Sequence, residues 1–128
     1  MTYHFTKELD ADFDEAIEKV TLELKKEGFG VLTDIDVKAT LKKKIDVDFR
    51  KYRILGACNP PFAYKAMSEE PNIGLMLPCN VVVQELEEGK VRVSAIDPVA
   101  SMMAVKNDRL GEVALQVQEK IKKVIDSL

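Results

Sequence analysis

Two cysteines hold most of the chemistry this chain could perform, and each stands in a similar short setting. The stretches Leu55-Gly56-Ala57-Cys58-Asn59-Pro60 and Leu77-Pro78-Cys79-Asn80 both put a Cys-Asn pair at a predicted strand end beside a proline. A thiolate is a nucleophile and a soft metal ligand, and a thiol just before a helix N-terminus is acidified by the unpaired N–H groups there. Cys58 holds that position, because Asn59 reads as an N-cap and Pro60 as the first helical residue. The reading is therefore a cysteine-lined pocket for a small ligand, a soft metal or thiol redox chemistry. In it Cys58 is the activated thiol, Cys79 its partner and Asp97 a proton acceptor or orienting group. Asn59 caps the helix and Asn80 supplies side-chain hydrogen bonds to a ligand.

No metal ligand set and no cofactor is assigned. Twenty residues lie between the thiols, there is no Cys-x-x-Cys, and the single histidine is His4. A metal held by two thiolates and one carboxylate would need an outside ligand or a second subunit. The competing reading is that both cysteines are small core hydrophobes, and the domain a structural or interaction module with no catalytic role. Whether the chain is an enzyme stays open.

Other residues offer less. His4 reads as an exposed strand residue, and Met102-Met103 as core filler before soft ligands. Asp36 reads as a cap and Asp34 as a turn residue. No Ser-His-Asp triad can be built on one such histidine, and no glycine-rich phosphate loop exists among six scattered glycines. Lys42-Lys43-Lys44 reads as solvated surface, with a polyanion or acidic partner as the weaker alternative.

The elements that must position these residues follow from periodicity. Residues 2–8 alternate as a half-buried strand. Asp12 and Glu15 then open a helix whose stripe is Phe13, Ala16, Ile17, Val20 and Leu24, with Gly28 as a left-handed cap. Phe29 to Ile35 is a second strand. Asp36 caps a short helix in which Val37, Leu41 and Ile45 share a face. Tyr52 to Ala57 is a third strand, leading into a helix from Pro60 that Pro71-Asn72 and Gly74 break. Val81 to Leu86 and Lys90 to Ile96 form a hairpin around Glu87-Glu88-Gly89. Asn107 or Asp108 opens a long helix, with Leu110, Val113, Ala114, Val117, Ile121, Val124, Ile125 and Leu128 as its buried stripe.

This order predicts an α+β fold: a two-layer sandwich with a largely antiparallel sheet of about five strands and helices packed on one face. Connection geometry decides whether the thiols meet. Antiparallel strands on either side of the third helix put Cys58 and Cys79 at the same sheet end, whereas parallel strands would part them by roughly 20 Å. The antiparallel arrangement is the expectation. The hairpin register then sets Cys79 opposite Asp97 or Pro98, and a one-residue slip would rearrange the cluster.

The chain has 128 residues, which suits one domain spanning 1–128. Hydrophobic residues make up 46% and charged ones 32%, enough apolar surface for a core rather than a disordered chain and enough charge for solubility, and no apolar run is long enough to span a membrane. Nineteen basic against 22 acidic residues give a net charge of −3, which argues against nucleic acid as a partner. Sparse cysteine use and the lack of a legible secretory leader predict a cytoplasmic protein with reduced thiols.

Three ordered stretches carry a resemblance over nearly the whole chain: Gly56-Ala57-Cys58-Asn59-Pro60-Pro61, Leu77-Pro78-Cys79-Asn80-Val81-Val82-Val83 and Val93-Ser94-Ala95-Ile96-Asp97-Pro98. Together with Asp34-Ile35-Asp36 and the closing Met102-Met103 and long helix, they resemble the domain-of-unknown-function 302 family of small stand-alone prokaryotic domains. The resemblance implies an antiparallel sheet carrying helices on one side, in a cytosolic protein that often pairs as a homodimer. It transfers no reaction and no catalytic residues.

Overall fold

The structure, a computed structural model, describes residues 2–128. Five strands run β1 (His4–Asp10), β2 (Gly30–Asp36), β3 (Tyr52–Cys58), β4 (Cys79–Glu87) and β5 (Lys90–Ile96). Between and after them lie α1 (Phe13–Lys26), α2 (Val37–Ile45), α3 (Pro60–Glu69), a 3-10 helix (Pro71–Met76), α4 (Pro98–Ser101) and α5 (Leu110–Asp126). The strands form one sheet in the order β1-β5-β4-β3-β2, every neighbouring pair antiparallel. The expected α+β sandwich is present.

One sheet face is covered and the other is open. The alternation in β4 and β5 turns Cys79, Val81, Val83, Val91, Val93 and Ala95 inward, where they are buried. Phe13, Ala16, Val20 and Leu24 of α1 meet them, as does the α5 stripe from Leu110 to Leu128, and all join one apolar cluster. The connection through α1 has to carry the chain from one sheet edge to the other. Its 14 residues span about 21 Å, which matches the roughly 19 Å across four strand spacings.

Three details depart from the sequence expectation. Asp12 precedes α1 in an extended conformation but makes no side-chain cap hydrogen bond. The stripe Val37, Leu41, Ile45 is not buried: no residue of α2 is, and Ile45 is 63% exposed. α2 joins two adjacent antiparallel strands at the sheet edge, beyond the reach of α1 and α5. It is held instead by Asp36, whose carboxylate accepts from the Ala39 N–H at 3.0 Å, and by Lys38, which donates to the Phe49 carbonyl at 2.8 Å. Two short helices, Pro71–Met76 and α4, fill stretches that periodicity leaves blank.

Candidate thiol site

The antiparallel pairing of β3 and β4 brings the cysteines together. Ala57 pairs with Cys79 directly, and Cys58 follows Ala57 at the same sheet end. Cys58 is half-buried, Cys79 is buried, and both are free thiols. They line one small cavity of about 30 Å³, walled by Phe29, Phe62, Leu77, Met102 and Val117 among others. No lysine, arginine or histidine lines it.

Electrostatics differ for the two sulfurs. Burial, and secondarily the charge of Cys58, push the Cys79 thiol up from 9.0 to about 11, so it holds its proton at neutral pH. Cys58 precedes the N-terminus of α3, where Pro60 and Pro61 occupy the first two helical positions. Prolines carry no N–H, and the N–H of Ala63 already bonds the Asn59 carbonyl. Only Phe62 is left among the first three helical positions to offer a donor, so this terminus is a poor anion cradle.

Asn59 is buried and does not cap α3 through its side chain. Its Nδ2 donates instead to the Glu27 carbonyl at 3.2 Å, tying the end of α1 to the start of α3. Gly28, at φ +86°, lies directly beneath that amide. Asn80 is not with the thiols. As the residue after Cys79 on a strand it must face the opposite side, and it lines a broad hollow of about 650 Å³ on the open sheet face.

Asp97 lies at the same sheet end but outside the cavity lining. Glu87 pairs with Lys90 at the hairpin turn, and a bulge between Glu85 and Glu87 then shifts the ladder one place, so that Val81 faces Ala95. That shift brings Cys79 into register with Asp97 rather than Pro98. The Asp97 carboxylate accepts from the Val99 N–H at 2.9 Å and from Gln118 Nε2 at 3.0 Å, capping α4 and pinning it to α5.

The open-face hollow had no signal in the motifs. It is lined by Tyr3, His4, Thr6, Tyr52, Asn80 and Arg92 among others, and His4, Thr6 and Ser94 form a hydrogen-bonded chain across β1 and β5. Alternation of polar residues in those strands is the feature that marks it. In the lysine run, Lys42 is paired with Asp46 at 2.9 Å and Asp48 at 3.3 Å.

Fold and site together define a two-layer α+β domain with a paired-cysteine motif at one end of an antiparallel sheet. The chain belongs to the family described as domain of unknown function DUF302, which matches residues 5–128. A crystal structure of an uncharacterized conserved protein DUF302 from Bacillus stearothermophilus is 30% identical, with 98% of each chain covered and a TM-score of 0.89. No curated protein matches the sequence. No helix among the described residues is long and apolar enough to cross a membrane.

Proposed function

We propose that this domain is a thiol-based binding module, working as a cytoplasmic homodimer, whose Cys58–Cys79 pocket takes up a compact thiophilic species. Cys58 presents the accessible thiol and Cys79 the buried partner. Asn59 and Asp97 act as positioning residues, fixing α3 and α4 around the pocket. Asn80 serves the open face instead. The observation carrying this reading is that two thiols from separate segments line one small, otherwise apolar cavity. Binding is favoured over redox catalysis because no lining cation and only a depleted helix terminus would stabilise a free thiolate. A bound soft ion supplies that charge itself.

The test is native-state alkylation of the reduced protein, with each thiol followed by mass spectrometry. Cys58 should label at least about tenfold faster than Cys79 near neutral pH, and a thiophilic ligand should protect it. If both thiols react only on unfolding, the pocket is closed core packing. Function would then lie at the molecular surface.

A further inference from the structure

Besides the two cysteines, the thiol cavity is lined by one more sulfur-bearing side chain, that of Met102. The adjacent Met103 shows that this placement is particular, because Met103 is 63% exposed while Met102 is buried. Met102 follows α4, whose position is fixed by the Asp97 cap and the Gln118 contact to α5. The helix end therefore brings a thioether side chain to the same cavity as the two thiols, which come from β3 and β4.

We propose that Cys58, Cys79 and Met102 form a three-sulfur site for a single Cu(I) ion. The inference rests on the thiol-pocket reading above and names its occupant. Three features of the cavity select that chemistry. First, its donors are soft. The lining holds no carboxylate, and its one polar side chain, Asn59, is tied through Nδ2 to the Glu27 carbonyl, so a hard cation that needs several oxygen ligands finds at most one side-chain oxygen.

Second, the coordination number is low. Zinc sites use four ligands, whereas the described residues hold no cluster of three or more His, Cys, Asp or Glu side chains suited to a metal. Thiolate and thioether ligands select Cu(I).

Third, the space is small, about 30 Å³, enough for a single ion beside the sulfur-bearing side chains. Phe29, Phe62, Leu77, Val113 and Val117 give the site an apolar wall, the kind of shell that limits solvent access to a bound metal.

Loading involves no electron transfer. Cu(I) enters as Cu(I), bonds form from copper to the three sulfurs, and the two S–H protons leave to solvent. Affinity should therefore rise with pH.

The experiment is an anaerobic competition titration of the reduced protein with Cu(I) held by a chromophoric chelator. Four variants are measured beside the wild type: Met102→Leu, Met103→Leu, Cys58→Ser and Cys79→Ala. Circular dichroism checks the fold of each, and Cys58 alkylation is followed in parallel. One Cu(I) per chain is expected. Met102→Leu, which keeps the cavity apolar and nearly filled, should weaken binding by about tenfold or more, since even outer-shell partners of metal ligands cost that much. Met103→Leu should leave it unchanged, and the cysteine variants should lose it.

Unchanged affinity in folded Met102→Leu would overturn the three-sulfur site. So would a wild type that takes no Cu(I) from the chelator while Cys58 still labels rapidly, and in that case the thiol pocket itself stands. No copper uptake together with protection of both thiols would remove both readings.

Discussion

Cys79 sits where a single buried proton is coupled to stability. Its thiol is pushed up to about 11 in the folded chain, burial being the larger cause and the Cys58 charge the smaller. At pH values below the unfolded thiol's range both states keep the proton, and the contribution to stability is complete. As pH climbs from about 9 to about 11 the unfolded chain ionises first, so stability is lost across that window. The shift corresponds to about 2–3 kcal/mol. Denaturant unfolding at about pH 8 and about pH 11 should thus show a steeper alkaline loss in the wild type than in Cys79→Ala. Equal slopes would mean that the folded protein does not hold this proton.

The same scale shows how far individual residues could be read from sequence. The two thiols could be brought together because strand direction and loop position are properties of the whole motif. Asn80 could not be kept with Cys79, since adjacent strand residues face opposite sides. Asn59 follows a pattern common to N-caps, yet its side chain reaches the Glu27 carbonyl, a contact 32 positions away that no local pattern encodes. Asp97 is a capping residue of a four-residue helix too short to leave a periodic signal.

At the level of elements, β3 passes very close to its surroundings at Gly56, and that explains the glycine in the first cysteine motif. A Cβ there would fall on the Thr33 hydroxyl and 2.7 Å from the Pro78 ring. Thr33 stands at the register shift between Val31 and Thr33 in β2, and Pro78 leads directly into Cys79. The strand, the irregular β2 edge and the segment before β4 are therefore packed without room for one methyl. Gly56→Ala should destabilise the fold by about 1–3 kcal/mol. Thr33→Ala in the same chain should recover part of that loss, a coupling that chemical denaturation of the single and double variants measures. Additive effects would show that the two sites do not share this space. The long amphipathic helices were legible because their stripes bury a continuous face. The missing burial of α2 was not, because its stripe is present and only its position beyond the covering layer leaves it exposed. The hairpin bulge escaped for a related reason: it changes the register without altering the alternation on either side.

At the scale of the molecule, the unequal covering of the sheet is the feature that bears on assembly. Residues that pair in register form one row across the open face: Thr6, Ser94, Val82, Ile54 and Ile35. Its β1–β5 end is polar, closed by a 2.9 Å contact between the Thr6 and Ser94 hydroxyls. Its β2–β3–β4 end is apolar, and Ile35 is 48% exposed there. Val82, Ile54 and Ile35 make an apolar patch at that end of the face, and a twofold-related copy would cover it by laying patch on patch. Light scattering should then give a mass twice the 14.4 kDa of the chain. Ile54→Lys with Val82→Lys should bring it down to that of the single chain, because each introduced charge would be buried without a partner in the assembled face. Tyr64→Ala, which removes a side chain 74% exposed on α3, should leave the mass unchanged. A wild type that scatters as one chain at micromolar concentration, or a lysine variant that still scatters as two, would place the contact elsewhere. The thiol site opens at the end of the sheet and not on this face, so the monomeric variant should keep the labelling rate of Cys58. The paired measurement therefore tests whether assembly and pocket are separable in this fold.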